Sequence, residues 1–258
     1  MSNNLKEKIQ ILIRKYEYRK FQEVVDESII ILKKSKNDFL WNLVGLSLQK
    51  LFKVEKSIDC FENAININSQ NFSAFNNLGL SYKYLKDYHK AEEYLIKSKE
   101  INPKYINPLV NLGNIKSDTY FLQNAIDYYS QALKLNKNLP LVHLNISNVY
   151  RSINKIDLAK KHLNEAMMID DRFTIADQKM TSLEKYQKNN PHIEKMLNKL
   201  EKLDLDNSQK VYLYFGLNKV YRDLKNYEKS LFYLEISNQA QRKLISYNIQ
   251  THKSLSKK

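Results

Sequence analysis

Residue types recur along this chain with a step of 34. Gly45, Gly79 and Gly113 are spaced by that interval, and so are Phe61, Leu95, Tyr129 and Leu163. Ala64, Ser98, Ala132 and Ala166 form a third series, Ser57, Ala91, Ala125 and Ala159 a fourth, and Trp41, Phe75, Leu109 and His143 a fifth. A period of this length implies one supersecondary unit per repeat, too small to bury its own apolar face, so that neighbours must stack. Within residues 72–105, Phe75, Leu78, Gly79 and Tyr82 fall at i, i+3, i+4 and i+7, one stripe of a first helix. Ala91, Leu95 and Ser98 make the matching stripe on a second, after the short polar turn Lys86–Asp87–Tyr88. Pro103 is placed to close that second helix, and Pro108 and Pro140 to open the next first helices, where the missing amide is not needed. The pattern predicts an all-α chain of helix–turn–helix units.

The pattern resembles the tetratricopeptide repeat family. The matching residues are Trp41, Val44, Gly45, Leu48, Ser57, Phe61 and Ala64, then Phe75, Leu78, Gly79, Tyr82, Ala91, Leu95, Ser98 and Pro103. They continue as Leu109, Leu112, Gly113, Lys116, Ala125, Tyr129 and Ala132, and as His143, Ile146, Ser147, Tyr150, Ala159, Leu163 and Ala166. The units expected are residues 5–37, 38–71, 72–105, 106–139, 140–173, a degenerate 174–205 whose second helix opens at Pro191, and 211–244, with a polar tail over 247–258. The resemblance implies a right-handed α-solenoid of about seven repeats, with the first helices lining a concave groove that takes a protein or an extended peptide.

Composition narrows the chemistry. The 258 residues include four glycines, none within thirty residues of another, so no glycine-rich phosphate loop can be built. Cys60 is alone, and His89, His143, His162, His192 and His252 never stand at the i, i+4 spacing of a helical zinc site. No metal or cofactor is expected, and no catalytic constellation is legible, which points to a protein that is not an enzyme. The polar N-terminus and the short aliphatic run at residues 29–32 give no membrane-spanning or secretory segment, so a cytoplasmic protein with no membrane partner is expected. The net charge of +14 raises nucleic acid as a partner. The 29 asparagines and the abundance of lysine and isoleucine read instead as AT-rich coding. The basic cluster from Lys185 to Lys225 is interleaved with Glu184, Glu194, Glu201 and Asp204 as on a solvated face, so nucleic acid is not the expected partner.

One column of first-helix residues stands out. Asn77, Asn111 and Asn145 are 34 apart, and Asn114 and Asn148 lie one turn further along. An asparagine amide both donates and accepts, so such a column can hold a peptide backbone whatever its side chains are. It is similar to the asparagine ladder in the repeats of O-linked N-acetylglucosamine transferase, and the five asparagines are the expected peptide-binding residues. The carboxylate clamp of some tetratricopeptide grooves is not matched, because Asn42, Asn76, Asn107 and Asn111 stand at its positions. Residues 213–247 are in addition similar to the last repeat before the catalytic domain of bacterial tetratricopeptide sulfotransferases, through Phe215, Gly216, Leu217, the Asp223-to-Tyr227 turn, Asn238, Arg242 and Tyr247. With eleven residues after Tyr247, that likeness implies at most the recognition part of such an enzyme.

Overall fold

The computed structural model describes residues 3–255 and the side chains of residues 5–245. Those residues form fourteen helices and no strand. They are α1 (Asn3–Glu17), α2 (Phe21–Leu32), α3 (Asp38–Lys50), α4 (Val54–Ile67), α5 (Phe72–Tyr84), α6 (Tyr88–Ile101), α7 (Ile106–Asp118) and α8 (Leu122–Leu135). The series continues with α9 (Pro140–Ser152), α10 (Ile156–Ile169), α11 (Ile175–Thr181), α12 (Pro191–Lys202), α13 (Asn207–Asp223) and α14 (Tyr227–Leu255). The fold is an all-α helical repeat. The chain forms two compact units, residues 1–136 and 137–258. The backbone of α14 runs on to Leu255, into the segment expected as a polar tail, whereas the Tyr247 side chain and residues 256–258 lie outside the described residues.

The turns inside each pair repeat as closely as the helices. Arg19, Phe52, Lys86, Tyr120, Asn154 and Lys225 all have φ between 57° and 63°. Each follows a first helix and ends it with one pattern of bonds: Phe52 N–H reaches the Gln49 carbonyl at 3.0 Å and Lys53 N–H the Leu48 carbonyl at 2.9 Å. This satisfies carbonyls the helix end would orphan. The position favours glycine, and a larger residue costs roughly 1–2 kcal/mol there. Short glycine-free turns are thus achieved by holding side-chain-bearing residues in a left-handed backbone. The second helices end in a series of their own. Asn68, Asn102, Asn136 and Asp170 cap α4, α6, α8 and α10 in extended conformation. The side-chain oxygens of Asn68, Asn102 and Asp170 accept the amide two residues on.

The glycine series explains how closely two helices of a pair approach. A methyl group at Gly45 would lie 2.4 Å from the Phe61 ring, at Gly79 2.8 Å from Leu95 Cγ, and at Gly113 2.5 Å from the Tyr129 ring. The large residue of the second helix therefore seats directly on the backbone of the first. Gly216 is different, since its nearest neighbours are Met196 Sδ at 3.3 Å and Thr181 Cγ2 at 3.4 Å. The repeat position in that last pair is held by Asn218, whose amide donates to the Ser230 carbonyl and hydroxyl at 2.8 and 3.0 Å.

Packing between pairs completes the core. In the first unit Ala91 and Leu95 of α6 are buried with Leu112 and Ile115 of α7. First helices also touch directly, α3 with α5 and α5 with α7, while among the described residues no contact of that extent links the second helices α2, α4, α6 and α8. The first-helix side is therefore the tighter, inner side of that unit. In the second unit Leu144, Leu163, Ala166, Ala176 and Met180 form one core, and Met196, Leu213, Leu217 and Val220 anchor another.

Gly113→Ala should lower stability by roughly 1–3 kcal/mol, because the Tyr129 ring is buried and its hydroxyl is bonded to Asn114 Oδ1 at 2.8 Å, leaving it nowhere to move. Gly216→Ala meets a flexible methionine and gains up to about 1 kcal/mol of helix propensity, so it should be neutral or stabilising. Denaturant melts of the two variants check the contrast.

Candidate functional site

Four asparagines of the first unit form a continuous chain of bonds across three first helices. Asn77 Nδ2 donates to Asn42 Oδ1 at 3.0 Å, Asn76 Nδ2 to Asn77 Oδ1 at 3.1 Å, and Asn111 Nδ2 to Asn76 Oδ1 at 3.0 Å. Gln49 extends it, donating to the Asn77 carbonyl at 3.2 Å and to Ser81 Oγ at 2.8 Å, and Ser81 Oγ pairs with Ser57 Oγ at 2.9 Å. Asn77 is only 6% exposed and Asn76 2%. The expectation of an open column must be corrected for Asn77. Its amide is consumed inside the helix stack, where a buried polar group needs partners, and it fastens α5 to α3 instead of facing outwards. Asn111 and Asn114 remain half-exposed on α7, Asn114 also accepting the Tyr129 hydroxyl. In the second unit Asn145 and Asn148 are half-exposed on α9. Asn42, Asn76, Gln49 and the two serines were not read as part of this array, although Asn42 and Asn76 carry the 34-residue step.

The second unit holds a cleft of about 760 Å³ bounded by α10, α11 and α12. It exists because the sixth pair does not pack as the others do. The two helices of every other pair are in extensive contact, whereas α12 leans on α13 and has no comparable contact with α11. Polar bonds substitute for the missing packing. Asp177, fully buried on α11, takes Lys199 Nζ on both oxygens, at 3.1 and 2.8 Å, and His192 Nε2 at 3.0 Å. His192 Nδ1 meets the Tyr186 hydroxyl at 2.6 Å, and burial pushes that phenol well above its ordinary range. Glu184 is bonded to Lys160 and accepts from Asn190 Nδ2 at 2.9 Å. The segment between α11 and α12 is tied to α13 by Tyr186 N–H on Asp223 at 2.9 Å. Met167, Met168, Met180 and Leu203 supply apolar wall, and Lys195 and Lys202 stand exposed at the rim.

Other reactive groups are muted. Burial pushes the Cys60 thiol up to about 12, so near neutral pH it is a packed, protonated group. Among the described residues no group of three or more His, Cys, Asp or Glu is placed to hold a metal ion, and no helix is long and apolar enough to cross a membrane.

The family description "Tetratricopeptide repeat" matches residues 40–71, 72–105 and 141–173. These units are tetratricopeptide repeats. Human "Protein O-mannosyl-transferase TMTC3" is 26% identical over 155 residues, 54% of this chain and 17% of that protein. The "UDP-N-acetylglucosamine--peptide N-acetylglucosaminyltransferase" of Giardia intestinalis is 31% identical over 113 residues, 43% of this chain and 8% of that protein. The chain thus spans less than a fifth of the length of either relative. Among solved structures, the C-terminal part of a TPR repeat-containing protein from Cytophaga hutchinsonii superposes with a TM-score of 0.64 over 88% of this chain and 93% of that one, at 11% identity, a likeness of fold.

The tetratricopeptide frame also locates a histidine pair. His143 holds the position occupied by Phe75 and Leu109 in earlier repeats, and its Nδ1 lies 3.0 Å from Nδ1 of His162 on the facing helix. Tyr150 stacks on the His162 ring at 5.6 Å. Burial lowers both pKa values, that of His162 to about 4, with the neighbouring His143 and Lys161 adding to the effect. The unfolded chain takes up these protons near the ordinary value of 6.5, while folded His162 resists until about 4. Stability should accordingly fall as pH drops through that window. His162→Gln should flatten the slope between pH 6.5 and 4.5 in thermal melts followed by circular dichroism.

The asparagine chain yields its own expectation. Asn77→Ala strands Asn42 Oδ1 and Asn76 Nδ2 in the helix stack and should destabilise by about 2–3 kcal/mol. Asn148→Ala, at a half-exposed position, should stay within about 0.5 kcal/mol of the parent in urea titration.

Proposed function

We propose that this chain is a non-catalytic scaffold that holds a protein partner, as an extended peptide, against the inner face of its first helices. The observation that carries the reading is the repeat array itself. In the first unit α3, α5 and α7 lie against one another on the tighter side, fastened by the asparagine chain. A face fixed in that way presents polar groups at a constant spacing and meets a ligand with little reorganisation. Taking each unit by itself, Asn111 and Asn114 are the proposed peptide contacts of the first and Asn145 and Asn148 those of the second, while in the first unit Asn77 acts from behind as a buttress. The two transferases matched by this chain are matched over a small part of their lengths, and the proposal takes no activity from them.

The test is affinity capture from the native host with the full chain as bait, followed by mass spectrometry. The wild-type chain should retain specific proteins, and the Asn111→Ala, Asn145→Ala double variant, with unchanged helical signal, should recover them several-fold less. Unchanged recovery would sink the groove reading. Capture of nothing above bare resin by the wild type would sink the scaffold reading altogether.

A further inference from the structure

We propose that the cleft between α10, α11 and α12 binds a short acidic segment of a protein partner that carries large aliphatic side chains. The proposal rests on the scaffold reading above and assigns it a second surface, lined by none of the first-helix asparagines. Charge decides the sign of the ligand. Of the ionic groups around the cleft, Asp177 is held by Lys199, and Glu184 by Lys160. Both carboxylates are therefore already neutralised by partners. What is left is Lys195 and Lys202, both exposed and, among the described residues, neither in an ion pair, against the single carboxylate of Asp171. Lys195, Lys199 and Lys202 lie at i, i+4 and i+7 on α12, one helix face, on which Lys195 and Lys202 present their ammonium groups to solvent and Lys199 turns inwards to Asp177. Lys199 is buried and bonded to both oxygens of Asp177, so it fixes the row in place from beneath.

Shape decides the rest. The volume of about 760 Å³ lies within the range of ligand-binding clefts, and the cleft is open to solvent, as a peptide segment requires. The wall is rich in methionine, and Met168 is 81% exposed, an apolar side chain with little to cover it. Methionine is unbranched and polarisable, so it conforms to irregular aliphatic groups. Polar anions alone would leave that wall wet, and a purely apolar segment would leave the lysines without partners. An amphipathic acidic segment satisfies both. The floor is prebuilt as well, because Asp177, Lys199, His192 and Tyr186 hold α12 at its stand-off distance with their bonds already made.

Fluorescence anisotropy with the full chain tests this with three labelled octapeptides. One alternates leucine with glutamate, one alternates leucine with lysine, and one alternates serine with glutamate. The leucine–glutamate peptide should bind, more weakly as salt is raised from about 50 to about 300 mM, and the other two should bind at least roughly tenfold more weakly. Lys195→Glu with Lys202→Glu should reduce binding of the first peptide roughly tenfold or more, and Met168→Glu several-fold. All three positions are exposed, so the helical signal should be unchanged. Equal binding by the charge-reversed variant, equal binding of the serine–glutamate peptide, or tighter binding of a single-stranded oligothymidylate that is lost in the same variant would each overturn the proposal. The outcome is separable from the scaffold test. Partners captured equally by wild type and by the charge-reversed variant would leave the scaffold standing and remove this cleft from it.

Discussion

Everything in this structure depends on how closely the two helices of a pair approach. At Gly45, Gly79 and Gly113 the backbone of the first helix has no side chain, and a ring or branched aliphatic group from the second helix lies where a methyl group would be. That contact fixes the distance inside the pair, and each pair then offers its neighbour the same surface. Because the seat is bare backbone, the seated residue is free to change. Phe61, Leu95 and Tyr129 differ in shape and polarity yet are all buried at the same place, and Tyr129 alone adds a hydroxyl, which it bonds to Asn114. Across these three pairs the large side chain varies while the seat stays glycine, as such close packing requires.

Apolar stacking sets the distance between helices but not their sliding register. Leucine against leucine is satisfied over a range of offsets, whereas a buried amide is satisfied only where its partner stands. The chain from Asn42 through Asn77 and Asn76 to Asn111 therefore locks α3, α5 and α7 against longitudinal slip. Such groups are costly unless every member is bonded, and here each amide finds another amide. The same residue type does separate work at the ends of the second helices, where Asn68 and Asn102 close an irregular turn. Six of the asparagines that read as coding bias are thereby placed in two positional series with distinct mechanical tasks.

Helices and their pairing were legible because a 34-residue period multiplies each weak local signal by the number of copies. The helix stripe around Phe75 or Leu109 is convincing because it returns. The left-handed turns at Phe52, Lys86 and Tyr120 gave no sign in residue type, since position in the repeat and not the residue imposes the backbone there. Asn77 was legible as part of a column but not as buried, because facing inwards or outwards depends on how near the neighbouring first helix comes. The Asp177–Lys199–His192–Tyr186 network was not legible at all. Its members are separated by 6 to 22 residues in a repeat without the consensus, so no spacing rule joins them.

That network is the same constraint met in another way. In the sixth pair no glycine seat is available on the short helix α11, and α12 does not close onto it. A helix that cannot be held by apolar contact must be held by directed bonds, and directed bonds act at a distance from which side chains, not backbones, meet. Lys199 and His192 therefore reach across to Asp177 while the helices stay apart. The space left between them is the cleft. Its lysine-rich opening and its methionine wall follow from the same failure to pack: residues that face a neighbour in the regular repeats here face an opening. A glycine-seated pair has no room for a ligand between its helices, so an opening of this kind can form only where the repeat is broken.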